Sequence, residues 1–119
     1  MSVRLIKLFD AFTEGLAKKD INKIMNLFTE NATYTVYALG YKPASGKQAI
    51  KVLIEADLQK IEDYNVEKLL ACEKKNSLVV EWRVRFKDAS SGKNVEIQGV
   101  SIIDAKNGMI HNWREYIRS

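Results

Sequence analysis

The sequence predicts an α+β fold in which helices come first and most strands come last. Apolar residues recur at helical spacing in the first half of the chain, and from about position 63 they alternate as they do in strands. The pairs Ser91-Gly92 and Asn107-Gly108 separate the later segments and are typical of hairpin turns. The later strands should therefore form an antiparallel meander, with the helices packed against it.

Three helices are predicted. The first spans 3–17 and places its apolar residues on one face. Asp20 is the expected N-cap of the second. Ser45 and Gln48 have the spacing of a capping box, so the third should begin there and run to about Gln59. The apolar residues of the three helices are, in order, Leu5, Ile6, Leu8, Phe9, Phe12 and Leu16; Ile21, Ile24, Met25 and Phe28; and Ile50, Leu53, Ile54, Leu58 and Ile61.

Five strands are predicted, and the first of them lies between the second and third helices. It is rich in β-branched and aromatic residues, as strands are. In the third strand Trp82 belongs to an apolar face that we expect to lie inside, whereas Arg83 and Arg85 belong to a charged outer face. The strands are predicted at 32–39, 64–73, 77–87, 94–104 and 109–118.

Composition points to one globular domain, residues 1–119. The net charge is +4, but the basic residues are scattered among acidic ones and never form a run longer than two. Nucleic-acid binding would need a basic stripe, so we expect no nucleic-acid partner. No apolar run is long enough to span a membrane, and a cytoplasmic protein is the default expectation.

The sequence offers little for metal or cofactor chemistry. Cys72 is the only cysteine and His111 the only histidine, which excludes a Cys/His zinc site. There is no glycine-rich phosphate loop, so we expect neither a metal nor another cofactor. Cys72 falls in a predicted strand, where we expect it to be a buried, small apolar residue.

Short segments along nearly the whole chain carry a family resemblance. In this order and spacing they resemble the nuclear transport factor 2-like superfamily, and most closely its SnoaL-like branch. The resemblance implies a cone-shaped α+β barrel around an apolar pocket, and a homodimer; members include isomerases, epoxide hydrolases, cyclases and non-catalytic domains. The segments are 18–20, 27–33, 46–50, 80–84, 99–100, 107–110 and 113–116.

The resemblance to ketosteroid isomerases argues against their mechanism here. Their oxyanion-hole tyrosine falls on Phe12, their general-base aspartate on Val36, and their protonated aspartate near Val100. Phenylalanine and valine neither accept a proton nor donate a hydrogen bond. These three positions are therefore expected to line a ligand pocket without carrying out that chemistry.

Limonene-epoxide-hydrolase-like enzymes share some of their polar site positions with this chain. Tyr34 matches a tyrosine that holds a water molecule, and Glu115 falls where those enzymes have an aspartate in the last strand. Val36 replaces their asparagine. Their Arg-x-Asp pair falls near 83–85, where the carboxylate is missing. The full mechanism is therefore not expected.

Strand alternation then assembles a candidate site. Alternation places Trp113, Glu115 and His111 on one face of the last strand, and the resemblance implies that this face lines the pocket. Glu115 is the predicted acid or base, because a carboxyl beside aromatic rings is desolvated and its pKa rises. Pairing of Glu115 with an outer arginine (83, 85 or 114) is the alternative. The predicted catalytic residues are Glu115 and Tyr34, and the predicted ligand-binding residues are Trp82, Gln98, Trp113, Val36, Val100, Phe12, Asp57 and His111.

Some of these residues have a simpler interpretation. Asp57 lies at the edge of its helix stripe and could face solvent instead of a pocket, and His111 follows a turn and could do the same. Tyr34, Trp82 and Trp113 could be ordinary core residues.

Three functions compete: a pocket enzyme that uses Glu115 on a small hydrophobic substrate, a non-catalytic binder of such a molecule, and an interaction domain that uses its outer sheet face. Whether the protein is an enzyme is left open. Ile97 and Ile103 are predicted to lie outside the pocket face. A sheet that is apolar on both sides needs a partner, and we therefore predict a homodimer through the outer face.

Overall fold

The computed structural model describes residues 4–38 and 43–118. Within those ranges the structure has three helices and six strands. The predicted end of the first strand, at Leu39, lies outside the described residues. The elements are α1 (Ile6–Lys18), α2 (Ile21–Met25), β1 (Phe28–Tyr37), β2 (Ala44–Ser45), α3 (Lys47–Leu58), β3 (Ile61–Lys74), β4 (Ser77–Asp88), β5 (Asn94–Lys106) and β6 (Met109–Arg118).

The strands form one open sheet in the order β2-β1-β6-β5-β4-β3. Strands β3 to β6 make the predicted antiparallel meander, and β1 joins it by pairing in parallel with β6. This confirms the α+β class. Since β1 and β6 are neighbours, their side chains meet on both faces of the sheet, and Tyr34 lies opposite Trp113 while Val36 lies opposite Glu115.

The first two helices lie where the sequence predicts them, although α1 begins at Ile6 and its predicted start at position 3 lies outside the described residues. Phe9 and Phe12 are buried on the apolar face of α1, and the helix ends at Lys19, whose φ is 55°. The Oδ1 atom of Asp20 accepts the backbone N–H of Lys23 at 3.1 Å, which confirms the predicted N-cap of α2. Phe28, predicted to lie in this helix, instead begins β1.

The predicted capping box of α3 is wrong. The N-cap is Gly46, with a φ of 89°, and no side chain caps the helix. A residue with a Cβ is strained at that angle, so a glycine suits the turn. Ser45 is held in β2 by its pairing with Thr33 and does not start the helix.

The core lies between the helices and the inner face of the sheet. Trp113, Phe9 and Phe28 are its largest fully buried side chains. Ile103 is fully buried and Ile97 packs against the core. The prediction that these two isoleucines lie outside the pocket face is therefore wrong, and they do not support a partner on the outer face.

Cys72 is exposed, so the prediction that it is buried is wrong. It lies in β3, the edge strand of the sheet, whose last five residues (70–74) are all exposed. The inner face of this end of β3 contributes little to the core. Cys72 is therefore exposed because it lies at the uncovered end of an edge strand, although its side chain is small and apolar.

A different set of apolar residues lies on the outer face of the sheet, and we call it the outer strip. The ring of Tyr37 stacks on that of Tyr116 with 4.7 Å between centroids. Leu70 and Val79 are also exposed on neighbouring strands. The outer strip therefore comprises Tyr37, Leu70, Val79 and Tyr116.

Candidate functional site

A cavity of about 340 Å³ lies between α1, α3 and the inner face of the sheet. That volume falls at the small end of ligand sites in proteins, which are usually lined by apolar and aromatic side chains with a few polar groups. Here too most lining residues are apolar. The lining residues are Phe9, Phe12, Thr13, Leu16, Tyr34, Val36, Ile54, Asp57, Lys60, Ile61, Tyr64, Trp82, Val84, Phe86, Asp88, Val95, Ile97, Trp113, Glu115 and Ile117.

Stacked aromatic rings form one wall of the cavity. The rings of Phe12 and Trp113 lie 4.3 Å apart between centroids, and Tyr34 stacks on Trp113 at 5.7 Å. Phe9 lies on the same indole at 6.1 Å. Helix α1 and strands β1 and β6 thus bring together residues that are far apart in the sequence, as the predicted periodicity requires.

Glu115 is held in this wall by hydrogen bonds from neutral donors. Its Oε1 atom accepts the indole N–H of Trp113 at 3.1 Å and the hydroxyl of Ser101 at 3.3 Å. The Ser101 hydroxyl in turn accepts the indole N–H of Trp82 at 2.9 Å. The N–H of Trp113 therefore reaches the carboxyl directly and that of Trp82 reaches it through Ser101, and both tryptophans line the cavity.

The alternative in which Glu115 pairs with an arginine is wrong. The three candidate arginines pair with other carboxylates: Arg83 with Glu67, Arg85 with Glu96 and Arg114 with Asp104. All three project from the outer face, whereas Glu115 projects into the cavity. Within residues 4–38 and 43–118 no cation forms a salt bridge with Glu115.

Burial raises the pKa of Glu115 to about 7. The two hydrogen bonds from Trp113 and Ser101 act in the opposite direction, since they favour the charged form, and the nearby charge of Asp57 raises the pKa further. Near neutral pH the carboxyl is therefore present both as an acid and as a base. That is the condition under which one group can donate or accept a proton efficiently.

Two further ionisable groups face the cavity near Glu115. Asp57 lines it from α3, and burial raises its pKa, while Lys60 acts to lower it. This confirms that Asp57 faces a pocket. Tyr64 lines the cavity from β3, and burial, followed by the charge of Glu115, raises the pKa of its phenol. Its hydroxyl stays protonated at any ordinary pH.

Gln98 and Val100 do not lie in the cavity, and the prediction that they face it is wrong. The register of β5 against β4 places Gly99 opposite Trp82 and Gln98 opposite Arg83. Gly99 therefore shares the inner face with Trp82, while Gln98 and Val100 share the outer face with the arginines. A side chain at position 99 would collide with the Trp82 ring, because a Cβ there would lie 2.9 Å from it.

His111 is not among the residues that line the cavity. Its Nδ1 atom lies 2.8 Å from the hydroxyl of Thr29, in a partly buried contact between β6 and β1. A register shift between β5 and β6 at this point breaks the alternation, so that Ile110 is buried in the core and His111 does not continue the face of Trp113 and Glu115. Sequence reasoning also missed Ser101, whose only sequence signal is that a small polar residue follows Gly99 by two positions on an otherwise apolar inner face.

The chain belongs to the SnoaL-like domain family, whose model matches residues 9–113. A search of curated protein sequences finds no significant match. Within the ranges that the structure describes, no helix has both the length and the apolar character needed to cross a membrane.

Solved structures give the same fold. A proposed isomerase from Bacillus subtilis has a TM-score of 0.85 at 21% identity, over 95% of this chain and 85% of that one. A proposed isomerase from Rhodopseudomonas palustris scores 0.89 at 14% identity, over 100% and 93%. An LEH-like epoxide hydrolase from M. tuberculosis scores 0.78 at 15%, over 95% and 81%. These likenesses establish the nuclear transport factor 2-like fold and leave the reaction open.

Proposed function

We propose that this protein binds a small hydrophobic molecule in the cavity and acts on it by acid/base chemistry through Glu115. The observation that carries the proposal is the position of this carboxyl in an aromatic wall, held by two neutral donors and by no arginine. A carboxyl kept only for structure would be expected to have a cationic partner when buried.

Glu115 would donate a proton when neutral and accept one when ionised. Both hydrogen bonds that it accepts end on Oε1, so the reacting proton would be exchanged at Oε2. Tyr34, whose ring stacks on Trp113 beside Glu115, would orient the ligand or a water molecule against the carboxyl. A hydrolase, isomerase or cyclase reaction would fit this arrangement, and the similar epoxide hydrolase and proposed isomerases make those classes the first to test.

The test is a turnover assay on small apolar epoxides and enolisable ketones, together with a thermal-shift screen of the same compounds. Glu115→Gln keeps the size of the side chain and an acceptor oxygen but cannot exchange a proton. Glu55→Gln, on an exposed position of α3, is the matched control. Turnover lost in Glu115→Gln and kept in Glu55→Gln would support the proposal.

Binding without turnover, unchanged in Glu115→Gln, would favour the non-catalytic binder. No binding by any compound would contradict a ligand pocket altogether. Attention would then turn to the outer strip as an interaction surface.

We further propose a homodimer through the outer strip, in the cytoplasm, with the sheet curved into the cone shape that the family resemblance implies. Tyr37, Tyr116 and Leu70 expose apolar surface there, and large exposed apolar patches mark interaction sites. Light scattering should give twice the chain mass of 13.6 kDa. A monomer mass at micromolar concentration would contradict the dimer.

A further inference from the structure

We propose that the ligand of the cavity is an apolar amine or ammonium compound whose positive charge lies between Glu115, Asp57 and the ring of Trp113. This inference rests on the proposed function, since it names the chemical class that the same cavity would accept.

The charge of the lining is opposite in sign to that of the whole chain. The chain carries a net charge of +4, yet among the described residues the charged side chains that line the cavity are Glu115, Asp57 and Asp88 against Lys60, and the Asp88 carboxylate accepts hydrogen bonds from the adjacent turn. Lys60 is itself exposed. The negative charge is thus concentrated where a ligand would lie, and such a cleft attracts cations and repels anions.

Neither inner carboxyl forms a salt bridge within the described residues, and Lys60 acts only on Asp57. Asp57 acts to raise the pKa of Glu115, which shows that the two groups repel each other when both are ionised. Donors to Glu115 are the neutral groups of Trp113 and Ser101. A ligand cation would offset both the repulsion and the loss of hydration that burial imposes on a charged carboxylate.

The aromatic wall offers faces in place of hydrogen-bond donors. The N–H groups of Trp82 and Trp113 are already donated to Ser101 and Glu115, so the contact that these two indoles can offer a ligand in the cavity is with their rings. A cation over such a face is attracted by the ring quadrupole, and tryptophan is the most effective ring. Phe12 and Tyr34 extend the wall around Trp113 and would enclose the apolar substituents of the ammonium group.

The test compares two ligands of the same shape that differ only in charge. Benzyltrimethylammonium carries a permanent positive charge, and neopentylbenzene has carbon in place of the nitrogen. Each is titrated into the folded chain at pH 8.5, with the fluorescence of the two cavity tryptophans as the readout. We expect the cation to bind at least about tenfold more tightly than the neutral compound, as a desolvated cation–π contact and one ion pair would give.

The preference should depend on pH and on Glu115. Because the ligand does not titrate and the carboxyl has a pKa of about 7, the ionised fraction of Glu115 falls about 30-fold between pH 8.5 and 5.5, and cation affinity should fall with it, by at most that factor. Asp57, Asp88, Lys60 and Tyr64 also face the cavity, and burial raises the pKa of Asp57 as well. Glu115→Gln should lose most of the preference for the cation, and Glu55→Gln should keep it.

Three results would contradict the cationic ligand. Equal or tighter binding of neopentylbenzene would overturn the cationic ligand and leave the apolar pocket of the proposed function intact. A cation preference that survives in both Glu115→Gln and Asp57→Asn would also overturn it, because the charge would then be recognised elsewhere. Binding of neither compound, nor of any compound in the thermal-shift screen, would overturn the inference and the proposed function together.

Discussion

Replacing Glu115 with glutamine should stabilise the protein, and only at neutral and alkaline pH. The carboxyl has a pKa of about 7 in the folded chain against 4.5 when unperturbed. The folded state therefore favours its neutral form. Stability from this group is complete below about pH 4.5 and is lost as the pH rises through about 7.

The size of the effect follows from that difference in pKa. At about 1.4 kcal/mol for each pKa unit, the ionised carboxyl costs the folded wild-type chain about 3 kcal/mol above pH 8. Glutamine stays neutral, and its carbonyl can accept the same bonds from Trp113 and Ser101. For a chain of this length, 3 kcal/mol corresponds to a rise in Tm of roughly 12 °C.

Urea denaturation at pH 5 and pH 8.5, at one fixed protein concentration, measures the free energy of unfolding of both chains. We expect the variant and the wild type to be similar at pH 5 and the variant to be more stable by about 3 kcal/mol at pH 8.5. Glu55→Gln should show no such dependence. A difference between Glu115→Gln and wild type that is equal at the two pH values would refute the assignment of a desolvated carboxyl.

Three further substitutions test packing and capping, each by thermal or urea denaturation. Gly99→Ala should destabilise by about 2 kcal/mol or more, because its Cβ would lie 2.6 Å from the Tyr116 carbonyl; a neutral result would show that β5 can shift. Ser101→Ala should cost about 1–3 kcal/mol by removing the acceptor of the buried Trp82 N–H, and Ser101→Thr should restore part of it. Asp20→Ala should cost about 1 kcal/mol, with Asn as the conservative control; equal losses for Ala and Asn would contradict the cap.

Most of the fold could be predicted because its elements have strong, regular patterns. The apolar face of α1 recurs at helical spacing, and Asn107-Gly108 marks the last hairpin, where both residues adopt positive φ. Asp20 works as a cap through a local contact, which sequence neighbours determine. The parallel pairing of β1 with β6 depends on contacts between distant segments, which local sequence patterns do not specify, and it was not predicted.

The site was predicted less well, because it depends on which face of β5 turns inward. That strand has apolar residues on both faces, so alternation does not choose between them. The family resemblance pointed to Val100, and Gln98 shares its face, which is why both were predicted as pocket residues. The large Trp82 ring decides the matter: only glycine fits opposite it. Glu115 was found because it shares a strand face with Trp113, whereas the serine that connects it to Trp82 had no comparable signal.

The pairing of β1 with β6 also governs when the sheet can form during synthesis. Thr33 and Asn112 are 79 positions apart, and contacts of such long sequence range slow folding because a large loop must close first. Until β6 has been made, β1 has only the two-residue strand β2 to pair with. Assembly of the sheet, and with it the wall that holds Tyr34 beside Trp113, is thus one of the last steps in the folding of the chain.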